Sequence, residues 1–228
     1  DRACMLLSKA GCIKTLSLQL ASRGHHPVND EDVNYIRVIT QICEVDSQRF
    51  EDVVLIGAVG RIILVLRKNL VAQSVLLPSE VEVQRRCIRF LEKMAGKDSI
   101  RYPTFQAGTG VLCLDILDME KSSCKPGAIN TLSILLEDEE VQRNFIEIPD
   151  GIERLGRFVK YGDRSLKMKA LDMLRQLASQ VENVRLMTTL SDLMDSVVLV
   201  QIILCSTDPF KRPGGFRTRN FKGVIVWV

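Results

Sequence analysis

The sequence predicts an all-α fold, a right-handed helical solenoid followed by a non-repeat tail, and three observations carry that expectation. First, one phrase recurs five times: an arginine, an apolar stretch, a small or helix-breaking residue, then a second short apolar stretch. The copies start at Arg2 (RACMLLSKAG), Arg49 (RFEDVVLIG), Arg101 (RYPTFQAG), Arg143 (RNFIEIPDG) and Arg185 (RLMTTLSD). Second, these arginines are 47, 52, 42 and 42 residues apart, a period that belongs to stacked helical repeats. Third, no stretch sustains the apolar–polar alternation of a strand, and a composition 46% hydrophobic but only 5% aromatic suits helix-on-helix packing.

The elements follow in order. Residues 1–10 match the closing part of the later units, so the chain opens inside a repeat and units upstream are expected. Further units fall near 11–56, 57–107, 108–150, 151–191 and 192–205, with a basic tail over 206–228. In the first full unit KAGCIKTLSLQL reads as a short helix and VNYIRVITQIC as a long one, separated by Ser22–Asp32 with Gly24 and Pro27. In the second, GAVGRIILVL leads into an insertion around Leu70–Ser79, and VEVQRRCIRFLEKMAG forms the long helix, ended by Gly96. In the third, GTGVLCLDIL is followed by a turn over 122–127 and by AINTLSILLEDEE. The fourth is the clearest. Asp150 is expected to cap a helix whose apolar face is Ile152, Leu155, Phe158 and Val159. Tyr161-Gly162-Asp163 stops that helix, and Ser165 caps the next. Leu166, Ala170, Leu171, Leu174, Leu177 and Ala178 then trace one wide apolar stripe, with Leu155, Leu171, Leu174 and Leu177 expected to be buried. A third, shorter helix opens at Asn183, and a fifth unit begins at Asp192 and reads helically to about Cys205. No such helix carries enough apolar face to fold alone; stacked, they share one core.

The arginine-to-glycine phrase, a short helix, and then A-x-x-x-L-x-x-L-A resemble the armadillo repeat. DGIERLGRFVKYGDRSLKMKALDMLRQLAS is the best match and VEVQRRCIRFLEKMAGKDSIRY the next, and the resemblance covers residues 1 to about 205. It implies an extended peptide held along a groove lined by the last long helix of each unit. In nuclear-import adaptors of this class that helix carries a Trp and, four residues on, an Asn that clamps the peptide backbone. Registered on this chain, the Trp-type positions are Arg37, Arg89, Asn130 and Asp172, and the Asn-type positions are Gln41, Lys93, Ile134 and Gln176. The Trp array is absent, which argues against a basic nuclear-localisation signal as ligand. Arg37, Arg89 and Lys93 instead make the first part of the groove basic, which favours an acidic or phosphorylated segment that Arg forks hold bidentately. Arg37, Gln41, Arg89, Lys93, Asn130, Asp172 and Gln176 are therefore the candidate partner-binding residues.

The remaining motifs are set aside. Leu132–Leu136 spells LxxLL, but inside a solenoid helix it reads as core. Gly57–Gly60 and Gly108–Gly110 lack the continuation of a phosphate loop and read as repeat turns. Both histidines, His25 and His26, are adjacent in one loop, so no catalytic triad assembles and no metal ligand set is evident. No catalytic residue, metal or cofactor is expected, and the chain reads as non-enzymatic. Glu137–Glu140 reads as a solvated run near helix ends. Seven cysteines without a C-x-x-C pair suggest reduced thiols of an intracellular protein, cytoplasmic or nuclear, with Cys12, Cys43, Cys87 and Cys113 among core residues. No stretch is long enough to span a bilayer. Net charge is +3 and does not by itself imply nucleic acid. The tail differs: Lys211, Arg212, Arg217, Arg219 and Lys222 stand against the single acid Asp208, with Phe210, Phe216 and Phe221 interleaved. That chemistry suits nucleic-acid phosphates and bases or an acidic membrane surface, while its prolines and glycines also suit a plain non-repeat end. The expected function is a protein-interaction scaffold or adaptor. The rivals are a nucleic-acid binder using groove and tail together, and a regulator that clasps a folded partner such as a small GTPase or a chaperone.

Overall fold

A computed structural model describes residues 2–24, 26–71, 78–119, 122–161 and 164–178. Among the described residues twelve α-helices follow one another in four triplets, and no strand occurs. The first triplet is α1 (Arg2–Lys9), α2 (Cys12–Ser22) and α3 (Asp30–Val45); the second is α4 (Arg49–Leu55), α5 (Ala58–Val71) and α6 (Pro78–Ala95). The third is α7 (Asp98–Thr104), a wide turn over Phe105–Thr109, α8 (Gly110–Asp118) and α9 (Lys125–Leu135); the fourth is α10 (Glu139–Phe145), α11 (Gly151–Tyr161) and α12 (Arg164–Ala178). Second helices stack on second helices, in the order α2, α5, α8, α11, and third helices on third, in the order α3, α6, α9, α12. The unit starts near 11, 57, 108 and 151 thus lie at the entrances to the second helices.

Apolar spacing explains the stack. On α3 the buried positions are Ile36, Ile39, Ile42 and Cys43; on α6 they include Cys87, Phe90, Leu91 and Met94; on α12 they are Ala170, Met173, Leu174 and Leu177. Each set recurs at three or four residues, so one stripe faces the adjoining helices. The rings of Phe50 on α4 and Phe90 on α6 meet at 5.1 Å between centroids, tilted by 41°. Leu132, Leu135 and Leu136 of the LxxLL string are fully buried core residues.

The recurrent arginine and glycine have separate physical reasons. Arg49 donates through Nε to Ser8 Oγ at 2.9 Å and to Asp46 Oδ2 at 3.0 Å, tying the start of α4 to the end of α3. Hydrogen bonds from Ser8 and Arg49 hold the Asp46 carboxyl below its usual range. Arg101 does the same one triplet on: its Nε donates to the carbonyl of Ala95, in the last turn of α6, at 2.9 Å. The glycine serves the turn between first and second helices. Gly11, Gly57 and Gly108 have φ of 73°, 81° and 97°, and no atom would touch a Cβ there, so the demand is conformational and not one of space.

Several details differ from the sequence reading. Asp150 does not cap α11 from an extended backbone; it is itself left-handed, with φ 57°, and fills the turn position that glycine fills in the first three triplets. The long helix expected over AINTLSILLEDEE stops at Leu135, because the Asp138 side chain accepts from the backbone N–H of Glu140 at 2.8 Å and of Val141 at 3.0 Å and so starts α10. Leu155, Leu174 and Leu177 are fully buried, but Leu171 is only half-buried at the edge of the core. Cys43, Cys87 and Cys113 are buried whereas Cys12 is half-buried; burial pushes the thiols of Cys43 and Cys87 up to about 12. The middle of the 70–79 insertion, the stop at Gly162-Asp163, the helix expected from Asn183, the fifth unit from Asp192 and the 206–228 tail lie outside the described residues.

Candidate partner-binding groove

The neighbouring third helices α3 and α6 enclose an open groove, and its geometry begins at the N-terminus of α3. Asn29 and Asp32 form a reciprocal cap there: Asp32 N–H donates to Asn29 Oδ1 at 3.3 Å, and Asn29 N–H donates to Asp32 Oδ2 at 2.9 Å. The Asp32 side chain is fully buried and receives a bidentate grip from Arg61 of α5, Nη2 to Oδ2 at 2.6 Å and Nε to Oδ1 at 3.2 Å. Arg61 also donates to the carbonyls of His26 and Pro27 at 2.7 and 3.2 Å, so one guanidinium fixes both the loop before α3 and its first turn. Burial alone would raise the Asp32 carboxyl; the hydrogen bonds from Arg61 and Asn29 N–H and the charges of Arg61 and Arg23 outweigh it and hold that carboxyl below its usual range.

From that anchored turn, α3 presents Val33, Ile36, Arg37 and Gln41 to the groove, and α6 presents Glu82, Val83 and Arg86, around a cavity of about 330 Å³. One turn further along, Thr40, Gln41 and Glu44 of α3 face Glu82, Arg86 and Arg89 of α6. Ile36 is 2% exposed and floors the groove, while Arg37, Arg86 and Arg89 are exposed on its rim. Among the described residues Arg37 and Arg89 make no hydrogen bond or ion pair. Arg86 donates to Glu82 Oε1 at 2.8 Å, one turn back on its own helix. That hydrogen bond, with the charges of Arg86, Arg85 and Arg89, holds Glu82 below its usual carboxylate range.

Of the residues singled out from sequence, Arg37, Gln41 and Arg89 gather on this groove, with Gln41 common to both stretches of it. Lys93 follows on α6, but its ammonium is paired with Glu44 of α3 at 3.0 Å. Asn130 on α9 is engaged on both sides: its amide donates to Glu92 at 3.2 Å and its carbonyl oxygen accepts from Lys169 of α12. Asp172 pairs with Arg175 on its own helix at 3.6 Å, and Gln176, half-buried on α12, already has a partner. Among the described residues that line the α3–α6 groove, none comes from α9 or α12. Registering two positions per helix missed Arg86 and Glu82, which lie three and seven residues before Arg89 on the same face, a spacing that helical periodicity makes visible.

Known structures place this architecture. An engineered protein solved by crystallography superposes with a TM-score of 0.58 at 19% identity, over 90% of this chain and 83% of its own. A designed armadillo repeat protein in complex with the peptide (KR)4 superposes with a TM-score of 0.58 at 12% identity, over 90% of this chain and 86% of its own. The fold is that of an armadillo-repeat solenoid. A second designed armadillo repeat protein agrees, with a TM-score of 0.54 at 14% identity over 83% of this chain and 79% of its own. No known family profile matches the sequence. No curated protein matches it either. In this armadillo-type fold α3, α6, α9 and α12 form the row of third helices, so the groove lies between the first two members of that row. No helix among the described residues is long and apolar enough to cross a membrane.

Proposed function

We propose that the protein is a non-enzymatic interaction scaffold that holds an extended acidic segment of a partner protein on its third-helix face, beginning at the α3–α6 groove. The observation that carries this reading is the pair Arg37 and Arg89, exposed on opposite walls of one groove and free of ion pairs among the described residues. A guanidinium without a carboxylate of its own is a ready partner for one on a ligand, and its planar fork gives that contact direction. A designed protein of the same fold is solved with the basic peptide (KR)4; the arginines of this chain suit the opposite sign. Gln41, between them, supplies an amide that can pair with a peptide group.

The test uses the full 228-residue chain and fluorescence anisotropy with labelled octaglutamate and alternating Lys-Arg octapeptides at moderate salt. Octaglutamate is expected to bind the more tightly, and Arg89→Glu to weaken it by at least tenfold. Equal binding of the two peptides, or an unchanged affinity after the charge reversal, would sink the proposal.

A further inference from the structure

We infer that the α3–α6 groove recognises an aliphatic side chain flanked by carboxylates, and that Glu82 sets its selectivity by occupying Arg86 while the groove is empty. This rests on the acidic-segment reading above and specifies the ligand. The floor is apolar: Ile36 is nearly fully covered, and Val33 and Val83 are half-buried against it from the two helices. A cavity of about 330 Å³ above them is open and bordered by Arg37 and Arg86. Hydrocarbon gains by leaving water for such a floor, whereas a peptide of acids alone leaves it wet. The ligand that satisfies both parts carries one Leu, Ile or Val with Asp or Glu beside it.

Among the described residues Glu82 is the single carboxylate that borders both stretches of the groove. It stands where a ligand carboxylate would stand, bonded to Arg86 and within the field of Arg89. Both members of the Glu82–Arg86 pair are about half exposed, 53% and 43%, so water competes for them and the contact exchanges readily for an incoming acid. The other acid among the described residues of the groove, Glu44, is committed to Lys93. Removing the charge of Glu82 therefore frees Arg86 and removes the repulsion of a ligand acid in one step, with no buried group disturbed.

The experiment compares the wild-type chain with Glu82→Gln, using labelled ten-residue peptides of Glu and Ser that carry either one central Leu or a Ser in its place. A Lys-Ser peptide and a single-stranded oligothymidylate of ten nucleotides are the controls. Support is a Leu peptide that binds at least tenfold more tightly than its Ser counterpart, together with a further threefold or greater tightening of it by Glu82→Gln. If the acidic peptides bind but ignore both the Leu and the Glu82 substitution, the inference is overturned and the broader reading stands. If the wild-type chain binds acidic and basic peptides alike, the broader reading itself fails. If the oligothymidylate binds best, with affinity falling steeply in salt, the surface is one for nucleic acid and both are overturned.

Discussion

Replacing Arg61 with methionine should destabilise the protein by about 3 kcal/mol at neutral pH, because it strands a buried carboxylate. Asp32 has a fully buried side chain and Arg61 one that is 2% exposed, and two bonds of 2.6 and 3.2 Å join them. The substitution also orphans the carbonyls of His26 and Pro27. Breaking a buried pair from one side costs about 3–5 kcal/mol. The lower end applies because Arg23 Nε remains 3.2 Å from Asp32 Oδ1, although it is not aligned as a hydrogen bond. The pH dependence separates charge from packing. In the native protein Asp32 lies below its usual range, so its contribution is complete above the unfolded value of about 3.9 and is lost as pH falls through the lower folded value. Without Arg61, burial dominates and raises the folded value above the unfolded one, so the variant loses stability as pH rises. The gap between the two proteins is then widest near pH 7 and narrows on acidification. Urea unfolding followed by circular dichroism at pH 7 and at pH 4 measures both. A loss below about 1 kcal/mol, or a gap independent of pH, would refute the electrostatic account.

Two further outcomes follow from backbone and core. Gly57→Ala should cost about 1–2 kcal/mol, since φ is 81° and nothing crowds the new methyl; a neutral result in urea would show that the turn relaxes freely. At the equivalent turn Asp150→Gly should change stability by no more than about 1 kcal/mol, with relief at φ 57° set against a more flexible unfolded chain. The same change should lower Glu153, whose carboxyl is held above its usual range by the hydrogen bond that its protonated form donates to the Asp150 carboxylate; an unmoved Glu153 titration by NMR would contradict that cause. Leu174→Ala should cost about 2–5 kcal/mol from a fully buried site, and a loss within about 0.5 kcal/mol would show that the face of α12 is misassigned.

The fold was legible because a solenoid writes its architecture locally. Each third helix must bury a stripe against its neighbours, so Leu174 and Leu177 announce themselves by spacing alone. What spacing does not record is backbone handedness. Gly151 sits nearest to where the glycine of the phrase is expected, yet it opens α11, and Asp150 makes the left-handed turn. Aspartate tolerates that conformation better than most side chains, so the substitution is physically reasonable but silent in an alignment keyed on glycine. Leu171 shows the converse: it shares the apolar stripe of α12, but at its edge, where cover depends on what the adjoining helices leave open. Arg61 was not legible as a structural residue, because its partner Asp32 is 29 residues away and nothing local marks the pair.

The candidate groove was half legible, for a related reason. Registering repeats selects the positions that point the same way on successive helices; Arg37 lines one cavity between α3 and α6 and Arg89 the next, and the two cavities share Gln41, Glu82 and Arg86. A groove, however, is made of two walls, and each wall brings the residues one turn above and below the registered one. Those neighbours decide the electrostatics: Glu44 takes up Lys93, Glu82 takes up Arg86, and Glu92 and Lys169 take up Asn130. The charges that remain unpaired are therefore set by differences between opposing walls and not by the sum along one helix. The basic character expected from Arg37, Arg89 and Lys93 contracts to Arg37 and Arg89, which make no ion pair among the described residues, and it is there, above the floor of Ile36, that we propose to seek the chemistry of a partner.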